Sequence, residues 1–346
     1  MGEVDPAFIQ ALEHRPNPKI MEAEGIPVID LSTQTLLILL RKLEMPAKIG
    51  VFSSLLITDC RWRNEKRFLM HRLDFLLSLQ KRKTRSGETP RKCWDIMMLS
   101  IQRMLETGKR FLIYLKNPTT IPSSHELNDT EVAEWHNHWP EYPPELREAC
   151  EEYAKEMEKL AFKLMELIAL SLGMKPDRFR DFFKEQTSTV RLNHCPPCPA
   201  PLLALGVGRH KDPGGLTILA QDDVGGLEVK RKSDEEWSWV KPIPNTYIVD
   251  IGDIIQVWTN DAYESLEHRV KLNPDKERFS IPYFLNPAHS TMVQPLDEMV
   301  NEQNPANIAH TIGANLLSPE SAVISKSLML RIFKSTTSRY DIRTSR

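Results

Sequence analysis

The stretch "GRHKDPGGLTILAQD" (208–222) sets a histidine and an aspartate two apart, ahead of a Gly-Gly turn and an apolar run. In an extended strand residues i and i+2 face the same way, so His210 and Asp212 can address one point while Lys211 turns aside. A solvated loop would also explain the pair, and with ten histidines in the chain one His-x-Asp is a common accident. A metal face needs a third donor. The later sequence offers His268 in "ESLEHRVKLN", directly before a β-rich run. Two imidazoles and one carboxylate on one side of an octahedral iron(II) leave its three other positions open. A lone His268 is otherwise read as an ordinary strand histidine.

Ten residues beyond His268, "RFS" puts Arg278 and Ser280 again at i and i+2. A guanidinium and a hydroxyl on one strand face make a clamp for a carboxylate. A surface salt bridge is the plainer reading of an isolated arginine. Metal face and clamp together call for a ligand with a chelating end and a distant acid.

The surroundings are β-rich from residue 189 onward. "TVRLN", "LTILAQ", "GLEVKR", "WSWVKP", "TYIVDIG", "IIQVW", "HRVKLN" and "RFSIPYF" are short runs separated by Gly, Pro, Asn and Asp. Such spacing predicts an antiparallel barrel or jelly roll. Upstream, residues 144–172 predict a long amphipathic helix. Leu146, Cys150, Tyr153, Met157, Leu160, Leu164 and Ile168 recur there at three- and four-residue steps. Pro144 suits its first turn and Gly173 its C-terminal cap. A second short helix is expected in "PDRFRDFFKEQ" (176–186).

These motifs resemble the plant 2-oxoglutarate/Fe(II)-dependent dioxygenases, the isopenicillin-N-synthase-like group. The likeness runs through "RLNHCPPCPAPLLALGVGRHKDPGGLTILAQDDVGGLEVKR", "WSWVKPIPNTYIVDIGDIIQVWTNDAYESLEHRV" and "ERFSIPYFLNPAH", and covers about 117–306. It implies a double-stranded β-helix (jelly roll) at 189–306, with residues 117–188 as helical support. It implies His210, Asp212 and His268 as Fe(2+) ligands, and Arg278 with Ser280 on the far carboxylate of 2-oxoglutarate. Asn193 falls where the family often has another cosubstrate contact. Phe284 falls where relatives place an aromatic ring against substrate, although a core Phe reads equally well. The implied reaction uses O2 and 2-oxoglutarate to oxidise a small organic metabolite, releasing succinate and CO2. Hydroxylation is the default outcome, and desaturation or demethylation needs only another substrate pose. Relatives such as aminocyclopropane-carboxylate oxidase use the same iron face without 2-oxoglutarate, and Arg278 with Ser280 does not exclude that. One departure stands out: Cys195 occupies the place of a family tyrosine whose hydroxyl commonly touches the cosubstrate. A thiol is a poorer donor, so weakened 2-oxoglutarate binding is expected.

Composition agrees with an ordinary globular chain, at 41% hydrophobic and 27% charged residues over 346 positions. The longest apolar run, "LLILL" (36–40), is far too short to span a bilayer, and the N-terminus carries no apolar signal core. Five cysteines, an odd number, favour free thiols in a reducing, cytoplasmic setting. "CPPC" (195–198) reads as a loop, because its prolines discourage the helix that a dithiol motif would open. The partner expected is a small molecule, with no membrane, no nucleic acid and a monomeric chain.

One segment argues otherwise. Within 33–116, Lys and Arg outnumber Asp and Glu by more than two to one, which taken alone suggests a basic nucleic-acid-binding protein. The family resemblance present in residues 1–32 also lapses there, and the expected Trp-Gly-Phe-Phe strand and Asn-His-Gly turn near residue 50 are missing. Back-translation with free synonymous codons and a one-phase shift restores that motif across 41–58, and family-like strings across 94–112 and 319–338. The expectation is that 33–116 and 307–346 are translated out of frame, the basic charge being a by-product. The chain would then be either a working enzyme or an inactive, misfolded remnant still able to bind metal.

Overall fold

The computed structural model describes residues 9–17, 20–23, 26, 28–31, 54–58, 110–115, 119–122, 132–135, 137, 139, 145–288 and 291–306. Its strands are β1 (Met21–Glu22), β2 (Val28–Asp30), β3 (Ser54–Thr58), β4 (Arg110–Leu115), β5 (Thr119–Pro122) and β6 (Val132–Trp135). They continue with β7 (Thr189–Cys195), β8 (Leu205–His210), β9 (Leu216–Gln221) and β10 (Leu227–Lys230). The last are β11 (Trp237–Trp239), β12 (Thr246–Ile251), β13 (His268–Lys271) and β14 (Arg278–Leu285). Two α-helices are described, α1 (Glu145–Ser171) and α2 (Asp253–Trp258).

The eight strands after residue 188 divide into two sheets by alternate pairs. A minor sheet runs β1-β11-β10-β13-β8, a major sheet runs β2-β3-β12-β9-β14-β7-β4, and β5 pairs with β6 apart from both. Strand alternation decides what each face of the major sheet meets. Val190, Leu192, Ile218, Ala220, Tyr247, Val249, Ile281 and Tyr283 point outward and are buried against α1. The predicted helical stripe supplies the other half of that core, from Leu146 through Ile168. Tyr153 adds a hydrogen bond from its hydroxyl to the Ile281 carbonyl, 3.1 Å away. Burial, helped by Glu151, pushes the Cys150 thiol up to about 12, so it packs there as an apolar group. As the sequence predicts, Gly173 ends the helix with a positive φ of 74°.

The opposite face of the major sheet looks into the sandwich. Leu219 and Ile248 from it join Leu227, Val229, Val270 and Val207 of the minor sheet in a smaller second core. Most of the rest of that interior face carries polar side chains, with Pro282 and Phe284 of β14 as exceptions, and this half of the sandwich is where the sequence placed its candidates. The double-stranded β-helix architecture expected from sequence is therefore present.

Two local expectations are corrected. "IIQVW" is not a strand: α2 takes it, its residues Ile254 to Trp258 all buried. An apolar run this short carries no usable period, and tertiary contacts decide. Residues 176–186 form turns and a 3-10 segment, Arg180–Phe183, rather than a helix. Phe179 and Phe182, three apart, both stack on Trp258, at ring separations of 5.7 and 4.4 Å. A 3-10 turn eclipses residues three apart more closely than an α-helical turn does.

The outer face of the minor sheet holds a buried ion pair. Arg269 Nε donates to Glu228 Oε2 at 2.7 Å across directly opposed positions of β10 and β13, and Arg269 lies 4.1 Å from the Trp237 ring. The pair is almost wholly buried, at 1% and 2% exposure. Glu228→Gln should therefore cost about 3–5 kcal/mol, because it strands a buried guanidinium. Replacing both residues by methionine should cost far less. Urea midpoints of the single and double variants check this, and equal losses would contradict it.

The out-of-frame segments expected from sequence lie outside the described residues for the whole of 307–346, and for 33–116 apart from the backbones of β3 and β4. Among the described residues, no helix is long and apolar enough to cross a membrane.

Candidate metal centre

Antiparallel pairing of β8 with β13 sets the end of one strand beside the start of the other. His210 and His268 are consequently direct partners in register, and their rings sit 4.2 Å apart. Asp212 arrives differently from the sequence expectation. β8 ends at His210, so Asp212 lies in the loop beyond it and not two residues along a strand.

That loop is held by backbone bonds to the start of α2. Asp253 N–H donates to the Asp212 carbonyl at 2.8 Å, Ile254 N–H to Gly214 at 3.1 Å and Gly252 N–H to Gly215 at 2.8 Å. The approach is so close that a Cβ on Gly252 would lie 2.1 Å from the Gly214 carbonyl oxygen. Glycine at 252 is required by that contact. The "DPGG" sequence thus serves to press a carboxylate into a fixed place.

Asp212 Oδ1 lies 3.5 Å from His210 Nε2 and 3.7 Å from His268 Nε2. One donor atom from each of the three residues falls within 4.8 Å of the others, as a shared metal ion needs. The tautomers suit the same purpose. His210 Nδ1 is 2.8 Å from the Gly208 carbonyl and His268 Nδ1 is 3.2 Å from the Leu266 carbonyl. A carbonyl can only accept, so each Nδ1 carries a proton, and Nε2 is the nitrogen on each ring that would ligate a metal once deprotonated. The second carboxylate oxygen is also held, by Thr217 Oγ1 donating to Asp212 Oδ2 at 2.5 Å. The residues present therefore fit a divalent ion, with a hydrogen-bond partner behind every donor group.

The electrostatics are those of a cluster short of positive charge. Burial works against the Asp212 carboxylate, yet His268, His210 and Thr217 together hold it well below the usual range. Burial, then the neighbouring His268, pushes His210 down. Burial also opposes the His268 cation, but Asp212 and Asp250 outweigh it and the ring is pushed up.

Arg278, Ser280 and Asn193 are brought together further along the same interior face. Arg278 Nη1 donates to Ser280 Oγ at 2.9 Å and Nη2 to Gln221 Oε1 at 3.1 Å. Asn193 Nδ2 reaches Ser280 Oγ at 3.4 Å from the adjoining strand. Burial lowers the pKa of the Arg278 guanidinium, the expected effect on a cation away from water. Thr217 and Gln221 share one face of β9 four residues apart, so metal cluster and arginine cluster are separated by about 13 Å along the strand. Phe284 lies on the same face of β14, beside Thr217 and Thr189 in register. The Arg191 guanidinium is 5.7 Å from its ring centroid. Cys195 closes β7 directly opposite Arg278, and it is a buried free thiol, as is Cys198 in the following loop.

Four neighbours were not singled out from sequence: Thr217, Gln221, Asp250 and Arg191. Arg191 had a local signal, since it sits two before Asn193 and so shares its strand face. Asp250 had one as well, a charge inside the apolar run "TYIVDI". Thr217 and Gln221 had none, because a Thr or Gln on a strand is unremarkable until its cross-strand neighbours are known.

Comparison with known proteins agrees with this geometry. Residues 186–287 match the 2OG-Fe(II) oxygenase superfamily. Jasmonate-induced oxygenase 2 of Arabidopsis thaliana is 46% identical over 172 residues, which are 49% of this chain and 46% of that protein. Gibberellin 20 oxidase 1 of Arabidopsis thaliana is 44% identical over 151 residues, 44% of this chain and 40% of that one. The chain thus spans about half the length of the curated relatives it matches. The crystal structure of JOX2 in complex with 2OG, Fe and JA superposes with a TM-score of 0.60 at 29% identity, over 88% of this chain and 86% of that one. Motif, two-sheet architecture and matched span coincide, and residues 186–287 of this chain are a domain of the 2OG-Fe(II) oxygenase superfamily.

Proposed function

We propose that this chain is a dioxygenase that uses Fe(2+), 2-oxoglutarate and O2 to oxidise a small organic molecule, with succinate and CO2 as coproducts. The observation carrying this reading is the convergence of His210 Nε2, His268 Nε2 and an Asp212 oxygen within 4.8 Å, on the same sandwich interior as the buried Arg278–Ser280 pair. Jasmonate-induced oxygenase 2 and the JOX2 complex support it as relatives.

His210, His268 and Asp212 would hold the ion on one side and leave its other positions to ligands. Bound there, iron would supply the activation of O2 that couples oxidative decarboxylation of 2-oxoglutarate to oxidation of a substrate C–H bond. The protein's own part is geometric. Arg278 and Ser280 grip the far carboxylate of 2-oxoglutarate, Gln221 fixes the guanidinium plane, and Asn193 steadies Ser280. Phe284 presents an aromatic wall to the substrate. Burial of the interior keeps water from competing. The chain works as a cytoplasmic monomer on a free metabolite, not on nucleic acid or a membrane. Residues 33–116 and 307–346 are read as out-of-frame translation flanking this domain, a reading supported by curated relatives that match about half the chain. Sequencing the coding DNA tests it, and a shifted frame closed by stop codons would end it.

The functional test is succinate release by the purified full chain given Fe(2+), 2-oxoglutarate and O2. The reading expects release that a chelator and Asp212→Ala both abolish; release no greater than that of Asp212→Ala would overturn it. Within this reading Cys195→Tyr restores a hydroxyl facing Arg278. One net hydrogen bond is about 1 kcal/mol, so half-saturation by 2-oxoglutarate should fall about five-fold. An unchanged value would show that position 195 does not touch the cosubstrate.

A further inference from the structure

Asp250 is the fifth of six residues in a strand that is otherwise apolar or aromatic beyond its first residue. Its neighbours Val249 and Ile251 belong to the large core on the outer side of the sheet, so strand alternation turns Asp250 into the sandwich. There it is only 8% exposed. A carboxylate is costly to bury without a compensating partner, and Oδ2 of Asp250 lies 3.3 Å from His268 Nδ1. This is the nitrogen opposite the one that faces Asp212. The Leu266 carbonyl, 3.2 Å away, accepts the hydrogen bond from that N–H, and the Asp250 carboxylate stands beside it at ion-pair distance. Asp250 is moreover the direct cross-strand partner of Thr217, and Thr217 in turn binds Asp212 Oδ2 at 2.5 Å. One opposed pair on the major sheet therefore stands behind two of the three donors, both of which come from outside that sheet.

We propose that Asp250 is a positioning residue of the metal centre: its carboxylate orients the His268 ring and, paired with Thr217, locks the donors of the minor-sheet side to the major sheet. The proposal rests on the metal reading given above. It assigns Asp250 to no coordination position. Its charge instead strengthens His268 as a donor, and with Asp212 it offers a divalent cation two negative charges in place of one.

The test is titration of the full-length chain with Co(2+), read by its visible absorption. Wild-type protein is expected to bind; if it does not, the metal reading itself fails and this proposal falls with it. Asp250→Asn keeps the volume and removes the charge, and the expected result is a dissociation constant for Co(2+) raised about 10–100-fold. At saturating Co(2+) its absorption bands should also be displaced from the wild-type positions, a change that a purely structural residue would not produce. Thermal melting of the metal-free variant reports whether it is folded. If it is not, Asp250→Glu, which keeps the charge but moves it, is expected to give weaker binding and displaced bands. Wild-type-like affinity and spectrum in a folded Asp250 variant would overturn the assignment while leaving the metal centre intact.

Discussion

Asp212→Ala is expected to abolish metal-dependent succinate formation and to weaken divalent-metal binding by more than the roughly 10–100-fold that changing a supporting residue costs. The reason is the charge and number of donors. Two imidazoles alone are neutral and supply two of three positions on the face, so removing Asp212 takes away the only anionic donor in the cluster. Its neighbours cannot move in to replace it. His210 and His268 are fixed by their Nδ1 bonds to main-chain carbonyls, and the loop that carried the carboxylate is fastened to α2 by backbone bonds that alanine leaves in place. The scaffold should therefore persist around an incomplete face. Co(2+) titration and succinate assays on Asp212→Ala and wild type check the two halves of this statement separately. Tight metal binding by the variant would mean that the three groups are an ordinary buried ion cluster.

What the sequence revealed of this site follows from which contacts are local. His210 and Asp212 were legible as a pair because they are two residues apart, yet the reason given for their convergence was wrong in one respect. Asp212 reaches the cluster through a loop pressed on Gly252, and nothing near residue 212 announces that partner forty residues away. His268, Arg278 and Ser280 were legible because strand alternation is local and a β-rich run was unmistakable around them. α2 was misread for the complementary reason: "IIQVW" has a strand's composition, and only the backbone bonds from 212–215 to 252–254 require a helical turn. Thr217 and Asp250 gain meaning from the register of β9 against β12, which is set by the whole sheet. The family resemblance, in turn, pointed to Cys195 as an anomaly, and its place opposite Arg278 gives that anomaly a physical consequence.

The same reasoning makes Arg278→Met the more discriminating experiment, because two of its effects should run in different directions. Arg278 is 4% exposed, and the hydrogen bonds its guanidinium makes go to the neutral groups Ser280 and Gln221. Holding a buried cation costs several kcal/mol, whereas two hydrogen bonds to neutral partners return about 1 kcal/mol each. Methionine should therefore leave the ligand-free protein at least as stable as wild type, measured by urea unfolding. For 2-oxoglutarate the sign reverses. A desolvated guanidinium–carboxylate pair lost from one side costs about 2–5 kcal/mol, so the half-saturating concentration should rise from about 30-fold to a few thousand-fold. Arg278→Lys should fall between, since an ammonium is a point charge and cannot serve Ser280, Gln221 and a carboxylate in one plane. Co(2+) affinity should stay near the wild-type value in both, because Arg278 touches none of the three metal donors. A loss of stability with unchanged response to 2-oxoglutarate would identify Arg278 as part of the core. A gain or equality of stability with lost response would mean that the cation, although Asp222 also acts on it, is held there chiefly for an anion that binds from outside the chain.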